Sequence, residues 1–461
     1  MERGAKKEIA LTPEEKLAQA LVPEAEQPYP VPENWRWVRL SALSKIISKG
    51  TTPQGGKAGY VDDGVCFLRV ENICDDGTIS HENIAHITSE MHYGFLKRSI
   101  LEADDILISI AGTLGKTGIV QQHDLPLNTN QAVSFIRLKE TRLCKLYVKY
   151  SLDNPVTQNL LLSKTKVTSI PNLTLEIISE CAVPLAPLPE QQRIVDRIES
   201  LFAKLVEAKE KAQAVVDGFE DRKAAILHKA FTGELTAGWR AVRNISKDTW
   251  THHKFSELCE IVRGGSPRPA GDPTYYGGNI PFMKVADITN NTGPYVSSTE
   301  HTITEAGLKK TRCVDANTLL LTNSGATLGV PAICTLKTTF NDGIAAFLNL
   351  DPSRLLFYYY FWYGKTQELR AINMGAAQPN LNTSIIGAVE IDLPTVPECQ
   401  EIAKILGIIL GKVKEAEEVA EQVISQIDTM KKAILARAFR GELGTNDPTE
   451  ESAEGLLLDL N

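Results

Sequence analysis

Between Glu190 and Leu235 the apolar residues fall on a single line. Ile194, Ile198, Leu201, Leu205, Ala208, Ala212, Val215, Phe219 and Ile226 follow alternating steps of four and three residues, with only Arg222 polar on that line. Such heptad spacing predicts a long helix with a narrow apolar stripe that must be covered by another like it. The same register returns 208 residues downstream, without a gap, as Ile402, Leu406, Ile409, Val413, Ala416, Ala420, Val423, Ile427, Met430 and Ile434. Two matched stripes in one chain can cover each other, so the helices are expected to pair antiparallel as a coiled coil about a pseudo-twofold axis. At about 1.5 Å per residue each would run roughly 60 Å. The flanks repeat too: Leu185, Pro189, Glu190 and Gln192 recur as Leu393, Pro397, Glu398 and Gln400, and Lys-Ala-Phe-Thr-Gly-Glu-Leu (229–235) recurs as Arg-Ala-Phe-Arg-Gly-Glu-Leu (437–443).

Ahead of each helix, short β-type runs (65–70, 106–110 and 133–138 in the first copy) alternate with loops rich in Gly, Asn and Thr. These blocks are themselves related. Trp35, Ser41, Leu43, Ile46, Gly50, Phe67, Val70 and Ile73 correspond to Trp250, Ser256, Leu258, Ile261, Gly265, Phe282, Val285 and Ile288, all 215 residues on. The offset falls to 214 at Thr113-Leu114-Gly115, to 212 at Phe135 and Leu138, and to 208 at Pro171-Asn172-Leu173. Length differences therefore sit in loops while framework positions keep step. The expected fold is α/β: two mixed α/β blocks joined by two long antiparallel coiled-coil helices in an internal repeat. The expected boundaries are 1–33 for an N-terminal helix and Pro-rich linker, 34–182 for the first block and 183–236 for the first long helix. Residues 237–390 would form the second block, 391–443 the second long helix, and 444–461 a flexible acidic tail. Within the first segment, Thr12-Pro13-Glu14-Glu15 has the spacing of a capping box.

Composition changes this picture little. The chain of 461 residues is too long for one core. Its net charge of −8 is concentrated in the first 33 residues and the stretch after Gly444, leaving both blocks near neutral. The overall charge thus argues against non-specific polyanion binding but does not bear on the blocks. No apolar run reaches 18 residues and no basic-plus-apolar leader is present, so a cytoplasmic location is expected. The eight cysteines show no Cys-x-x-Cys and no Cys/His cluster at ligand spacing, so they are expected as buried thiols, with no metal site.

Motifs for catalysis fail one by one. Gly112-Thr113-Leu114-Gly115-Lys116-Thr117 looks like the end of a phosphate-binding loop, but Ile110 stands where its first glycine belongs. Asn154-Pro155-Val156 falls short of the Asn-Pro-Pro-aromatic tetrad of an amino methyltransferase, and no nuclease-like carboxylate and lysine cluster stands out. No catalytic residue is expected. What remains are loop residues suited to base edges and phosphates. In the first block they are Lys49, Thr51, Thr52, Gln54, Lys57, Arg69, Asn72, Lys116, Asn128, Asn130 and Gln131; in the second, Arg263, Ser266, Arg268, Lys284, Asp287, Asn323, Ser324, Asn341 and Asp342. Arg and Lys engage guanine O6 and N7, Asn and Gln bind adenine, and Asp accepts from the cytosine amine. Their side chains differ between the copies, as readers of different bases would.

Several of these features together resemble the specificity subunit of type I restriction-modification systems. They are the alternation of two variable blocks with two near-identical helices, the Pro-x-Pro-Glu-Asn-Trp entry at 30–35, the Leu-Pro-Glu-Gln-Gln-Arg-Ile start at 188–194 and the Ala-Phe-x-Gly-Glu-Leu ends. The resemblance covers nearly the whole chain; the second helix departs from it only in reading Pro397-Glu398-Cys399-Gln400. It implies that each block is a target-recognition domain reading one half of a split, asymmetric double-stranded DNA sequence. The helices would act as a ruler and as the dock for two modification subunits, which use S-adenosylmethionine to methylate adenine. Two restriction subunits driven by ATP and Mg would join for cleavage. A non-catalytic coiled-coil adaptor whose α/β ends bind proteins is the competing expectation, and it predicts no retention of DNA.

Overall fold

A computed structural model describes residues 12–53, 55–139, 142–165, 172–325, 327–372 and 381–460. The chain divides into two compact units, one made of residues 1–211 with 423–461 and the other of 212–422.

In the first unit Thr12 caps a helix over Pro13–Ala20: its hydroxyl accepts from the Glu15 N–H (3.2 Å), and the Glu15 carboxylate accepts from the Thr12 N–H (2.8 Å). Ten strands follow: β1 (Arg36–Arg39), β2 (Ser44–Lys49), β3 (Val65–Leu68), β4 (Ala85–Ile87), β5 (Ile100–Leu101), β6 (Ile106–Ser109), β7 (Thr117–Ile119), β8 (Leu127–Thr129), β9 (Val133–Leu138) and β10 (Ala182–Leu185). One sheet has the order β2-β9-β6-β7 and is antiparallel throughout, a second has the order β4-β3-β8-β5 with β3 and β8 parallel, and β1 pairs with β10. All four residues of β6 are buried, which is why this strand reads as a continuous apolar run rather than an alternation.

The second unit repeats the plan with β11 (Thr251–Lys254), β12 (Glu260–Arg263), β13 (Tyr276–Met283), β14 (Tyr295–Val296), β15 (His301–Ile303), β16 (Arg312–Val314), β17 (Thr318–Thr322), β18 (Pro331–Cys334), β19 (Thr338–Phe340), β20 (Ile344–Leu348) and β21 (Glu390–Leu393). Its sheets run β12-β20-β17-β18-β14, β15-β13-β19-β16 and β11-β21, so among the described residues β14 is the one added strand. The helix Leu355–Ile372 carries Phe357, Tyr358, Phe361 and Trp362 into the core of this unit, where Trp362 lies 4.7 Å from Phe255 between ring centroids.

The heptad stripes form helices that run in opposite directions within each unit. In the first, the Arg193 guanidinium bonds the Thr445 carbonyl and the Glu450 carboxylate, while farther along the helix the Lys431 ammonium stands over the Phe202 ring. Ile194 and Ile198 share their core with Leu435, Ala438 and Phe439. In the second, Leu227 and Ala230 share theirs with Ile402 and Leu406. The second long helix is continuous over Val396–Ala438. The first, expected unbroken, runs Leu188–Asp217, stops at Gly218 and resumes over Phe219–Phe231. Glycine is the poorest helix former after proline, and here Arg222 bends back to bond the Val215 carbonyl across the gap.

Most stripe positions are covered. Ile194, Ile198, Ala212, Ile402, Leu406, Ala420 and Ile427 are buried, and Leu201, Leu205, Ala208, Val215, Phe219, Ile226, Ile409, Val413, Val423 and Ile434 are half-buried. Ala416 and Met430 are exposed instead, while Glu417 and Lys431 beside them are half-buried. A helix of 3.6 residues per turn drifts off a 3.5-residue line. Two further expectations give way. Cys313 is an exposed thiol. The final segment is no free tail: it carries a helix, Ala453–Leu460, whose Ala453, Leu456, Leu457 and Leu460 pack into the core of the first unit. Acidic composition concealed four apolar residues at helical spacing.

The repeated flanks meet at a buried junction in each unit. Trp35 Nε1–H donates to Glu190 Oε2 (2.7 Å), and the Asn446 amide donates to the same oxygen (2.9 Å). At the matching place Trp250 Nε1–H donates to Glu398 Oε2 (3.0 Å), while Arg240 Nη1 (2.5 Å) and the Thr236 hydroxyl (2.7 Å) donate to Oε1. The block's entry tryptophan, the start of one long helix and the chain following the end of the other are thereby held on one carboxylate.

Candidate nucleic-acid interface

In both blocks the polar loop residues gather where the strands end. In the first, Gly50 N–H donates to the Val133 carbonyl (3.0 Å), Thr51 N–H to that of Thr129 (3.2 Å), and Asn130 N–H to that of Leu68 (3.2 Å). These bonds draw the loops after β2, β3 and β8 together. A side chain at Gly50 would lie 2.0 Å from the Asn130 carbonyl, so the approach requires glycine. In the second block Gly264 N–H donates to the Ile344 carbonyl (3.1 Å), Gly265 N–H to that of Phe340 (3.1 Å), and Asn341 N–H to that of Met283 (3.0 Å). A side chain at Gly264 would lie 2.2 Å from the Asn341 carbonyl. Gly264, rather than the Gly265 expected from the sequence offset, therefore occupies the place of Gly50.

With the copies aligned on these bonds, Lys49 matches Arg263, Thr52 matches Ser266, Arg69 matches Lys284, Asn72 matches Asp287, Asn130 matches Asn341 and Gln131 matches Asp342. The hydrogen bonds match as well. The Thr52 hydroxyl bonds Gln131 Oε1, and the Ser266 hydroxyl bonds Asp342 Oδ1 (2.5 Å). Asn72 Oδ1 accepts from the Arg69 N–H (3.0 Å), and Asp287 Oδ2 accepts from the Lys284 N–H (2.7 Å). Each block thus carries a cation at the end of β2 or β12, three residues before a hydroxyl that bonds an amide or carboxylate. Lys49 and Arg263 are exposed. Arg263 Nε also holds the Asp342 carbonyl (2.5 Å).

Other residues that the sequence pointed to have different surroundings. Asn128 is buried and its amide donates to the Leu96 carbonyl (3.1 Å), while Asn72, also buried, caps its own loop; both serve the fold rather than a base edge. Arg69 pairs with Glu71 (3.0 Å) and bonds the Asn83 carbonyl (3.2 Å). Lys116 pairs with the fully exposed Asp75 (3.0 Å). Asn323, matching Ile110 of the first block, is fully buried, with neither end of its amide hydrogen-bonded. Ser324 is half-buried and Arg268 exposed. Gln54 lies outside the described residues.

Sequence reasoning passed over two basic turns, Lys97-Arg98 and Lys309-Lys310. All four residues are exposed and each pair precedes the edge strand that flanks β8 or β19. The adjacent dibasic pairs were the available signal, but the turns differ in length and shift the alignment between the copies.

Among the described residues no three His, Cys, Asp or Glu side chains are placed to hold a metal ion. Cys66 Sγ lies 3.9 Å from His81 Nδ1, and His81 Nε2 lies 2.7 Å from Asp124 Oδ1. Burial, reinforced by the Asp124 charge, raises the pKa of that thiol and so disfavours its thiolate. No helix among the described residues is long and apolar enough to cross a membrane.

Known proteins arrange their chains alike. The family model described as the type I restriction modification DNA specificity domain matches twice, over residues 32–216 and 247–421. The EcoBI specificity subunit of Escherichia coli is 30% identical over 214 residues, which cover 46% of this chain and only 44% of that protein. The EcoKI specificity subunit of E. coli K12 is 19% identical over 90% of both chains. The crystal structure of the HsdS subunit from Thermoanaerobacter tengcongensis superposes with a TM-score of 0.66 at 21% identity, covering 91% of this chain and all of that one.

Proposed function

Because the chain belongs to the type I restriction modification DNA specificity family, we propose that it selects DNA sequence, each block reading one half of a bipartite, asymmetric target. The observation that carries this is the pair of matched loop sets, in which geometry is kept and chemistry is changed. Lys49 with Gln131 suits guanine beside adenine; Arg263 with Asp342 suits guanine beside a cytosine amine. Thr52 and Ser266 hold the reading groups in place, so less conformational freedom is lost on binding. Gln54, Lys57, Thr51, Arg69, Lys116 and Asn130 in the first block, with Arg268, Lys284 and Ser324 in the second, supply further contacts to bases and phosphates.

In this reading the chain performs no chemistry itself. Its helices dock two methyltransferase subunits, which use S-adenosylmethionine on adenine, and two restriction subunits that consume ATP with Mg join the assembly in the cytoplasm. The paired helices also set the spacer between the half-sites.

Mapping modified adenines across a host genome with and without this gene tests the reading directly. A bipartite motif that disappears with the gene is expected, and an unchanged methylation map counts against it. Exchanging residues 36–182 for the corresponding block of a relative should alter one half of that motif and leave the other intact. Alteration of both halves would refute the assignment of one reader to each block. Matched insertions of four residues, after Ala212 in the first helix and after Ala420 in the second, should lengthen the spacer without changing either half.

A further inference from the structure

Lys97 and Arg98 of the first block, and Lys309 and Lys310 of the second, are exposed and form no ion pair with any described residue. Two other cations near the reading loops of the first block are engaged in ion pairs, Arg69 with Glu71 and Lys116 with Asp75. The two basic turns lie at equivalent places. Each leads into the edge strand (β5 or β16) that pairs antiparallel with β8 or β19, and those strands run directly into Asn130-Gln131 and Asn341-Asp342.

Both turns are also anchored to the reading loops, by different side chains. In the first block the buried Asn128 amide donates to the Leu96 carbonyl (3.1 Å), fixing the residue just before Lys97. The Ser99 N–H (3.0 Å) and hydroxyl (3.1 Å) bond the same carbonyl, closing the turn around the two cations. In the second block the Thr311 hydroxyl, just after Lys310, donates to the Phe340 carbonyl (2.7 Å) and accepts from the Gly265 N–H (3.3 Å). Cations left free in solution gain nothing from being held in register with a loop. The backbone that carries them is already ordered and loses little further entropy when an anion arrives.

We propose that Lys97-Arg98 and Lys309-Lys310 are paired phosphate clamps, one for each block, which grip the DNA backbone irrespective of sequence and so set the register in which the adjacent loops meet the bases. The proposal rests on the reading of the blocks as DNA binders and adds a division of labour to it. The anchored basic turns are common to both halves, whereas Gln131 and Asp342 differ. Phosphate contacts position a protein and base contacts specify its site.

The test uses the full chain and fluorescence anisotropy over a series of NaCl concentrations, with two labelled duplexes: one holding the motif found by methylation mapping, the other a shuffled sequence of the same length. The variants are Lys97→Ala with Arg98→Ala, and Lys309→Ala with Lys310→Ala. Lys412→Ala with Lys432→Ala serves as a control that removes two exposed helix charges. Each clamp variant is expected to weaken binding to both duplexes by the same factor. Its log affinity against log salt should flatten by about 1.8, from about 0.9 for each phosphate that is no longer neutralised. The ratio of affinities for the two duplexes should not change, and Lys97→Arg with Arg98→Lys should restore the slope. A slope equal to that of the unmodified chain, a weakening confined to the motif duplex, or the same flattening in the control overturns the clamp. An unmodified chain that binds neither duplex overturns instead the reading on which the clamp rests.

Discussion

Glu190 and Glu398 occupy equivalent positions but have different neighbours. Glu398 has Arg240 against it, with the carboxylate fully buried and the guanidinium nearly so. Substituting Glu398→Gln would leave that guanidinium buried without its counter-charge, at a cost of about 3–5 kcal/mol. Hydrogen exchange should show the loss in the second unit; unchanged protection there would mean that the pair contributes nothing. Glu190 has no such cation on its buried oxygens, and burial raises its pKa above the ordinary 4.5 against the opposing effect of the Trp35 and Asn446 bonds. The folded chain therefore holds this proton more tightly than the unfolded chain does. The resulting stability is fully present below the ordinary value and is lost as pH rises through the raised one. Glu190→Gln should make the first unit's denaturant midpoint less dependent on pH in that window, with Asp105, raised mainly by burial, supplying what remains. A pH profile identical to that of the unmodified chain would rule this out. The residue types of the reading loops were legible in the sequence, since Lys, Arg, Asn, Gln and Asp in glycine-rich loops announce themselves. Which of them are consumed by the fold was not, because the burial of Asn72 and Asn128 comes from chain that folds over them, at Ser80 and Leu96, and their own residue type does not announce it.

At the scale of elements, the heptad stripe was the most legible feature, because a periodic pattern sustained over several turns averages out local ambiguity. Its ends and interruptions were less so. Gly218 breaks the first helix at a single residue, and the exposed Ala416 and Met430 show that the buried line departs from strict heptads. Ile198 lies at 0% exposure and Met430 at 42%. Ile198→Ala is accordingly expected to cost about 2–5 kcal/mol, whereas Met430→Gln should stay within about 0.5 kcal/mol. Urea melts of the two variants decide it, and comparable losses in both would restore the strict heptad line. The short strands were recognisable as apolar runs, but their pairing was not. Nothing local indicates that β3 lies parallel to β8, or that β14 adds to one sheet and has no counterpart in the other.

At the scale of the whole chain, the first unit is assembled from two separated stretches and the second from one. Leu457 is fully buried in the core of the first unit, within the segment whose acidity disguised it. Replacing Leu456 and Leu457 by Asp should strip protection from the first unit, including the junction at Trp35, and leave the Trp250 junction intact. Equal loss in both units would show that they fold as one. The division also orders events during synthesis. The second unit is complete once residue 422 has been made, whereas residues 1–211 must wait for 423–461. At about 5–20 residues per second, the 211 residues of the second unit (212–422) take roughly 10–40 s to translate. For that interval residues 1–211 carry Ile194, Ile198 and Trp35 without the helix and carboxy-terminal segment that later pack against them. The half that leaves the ribosome first is thus the last to be finished.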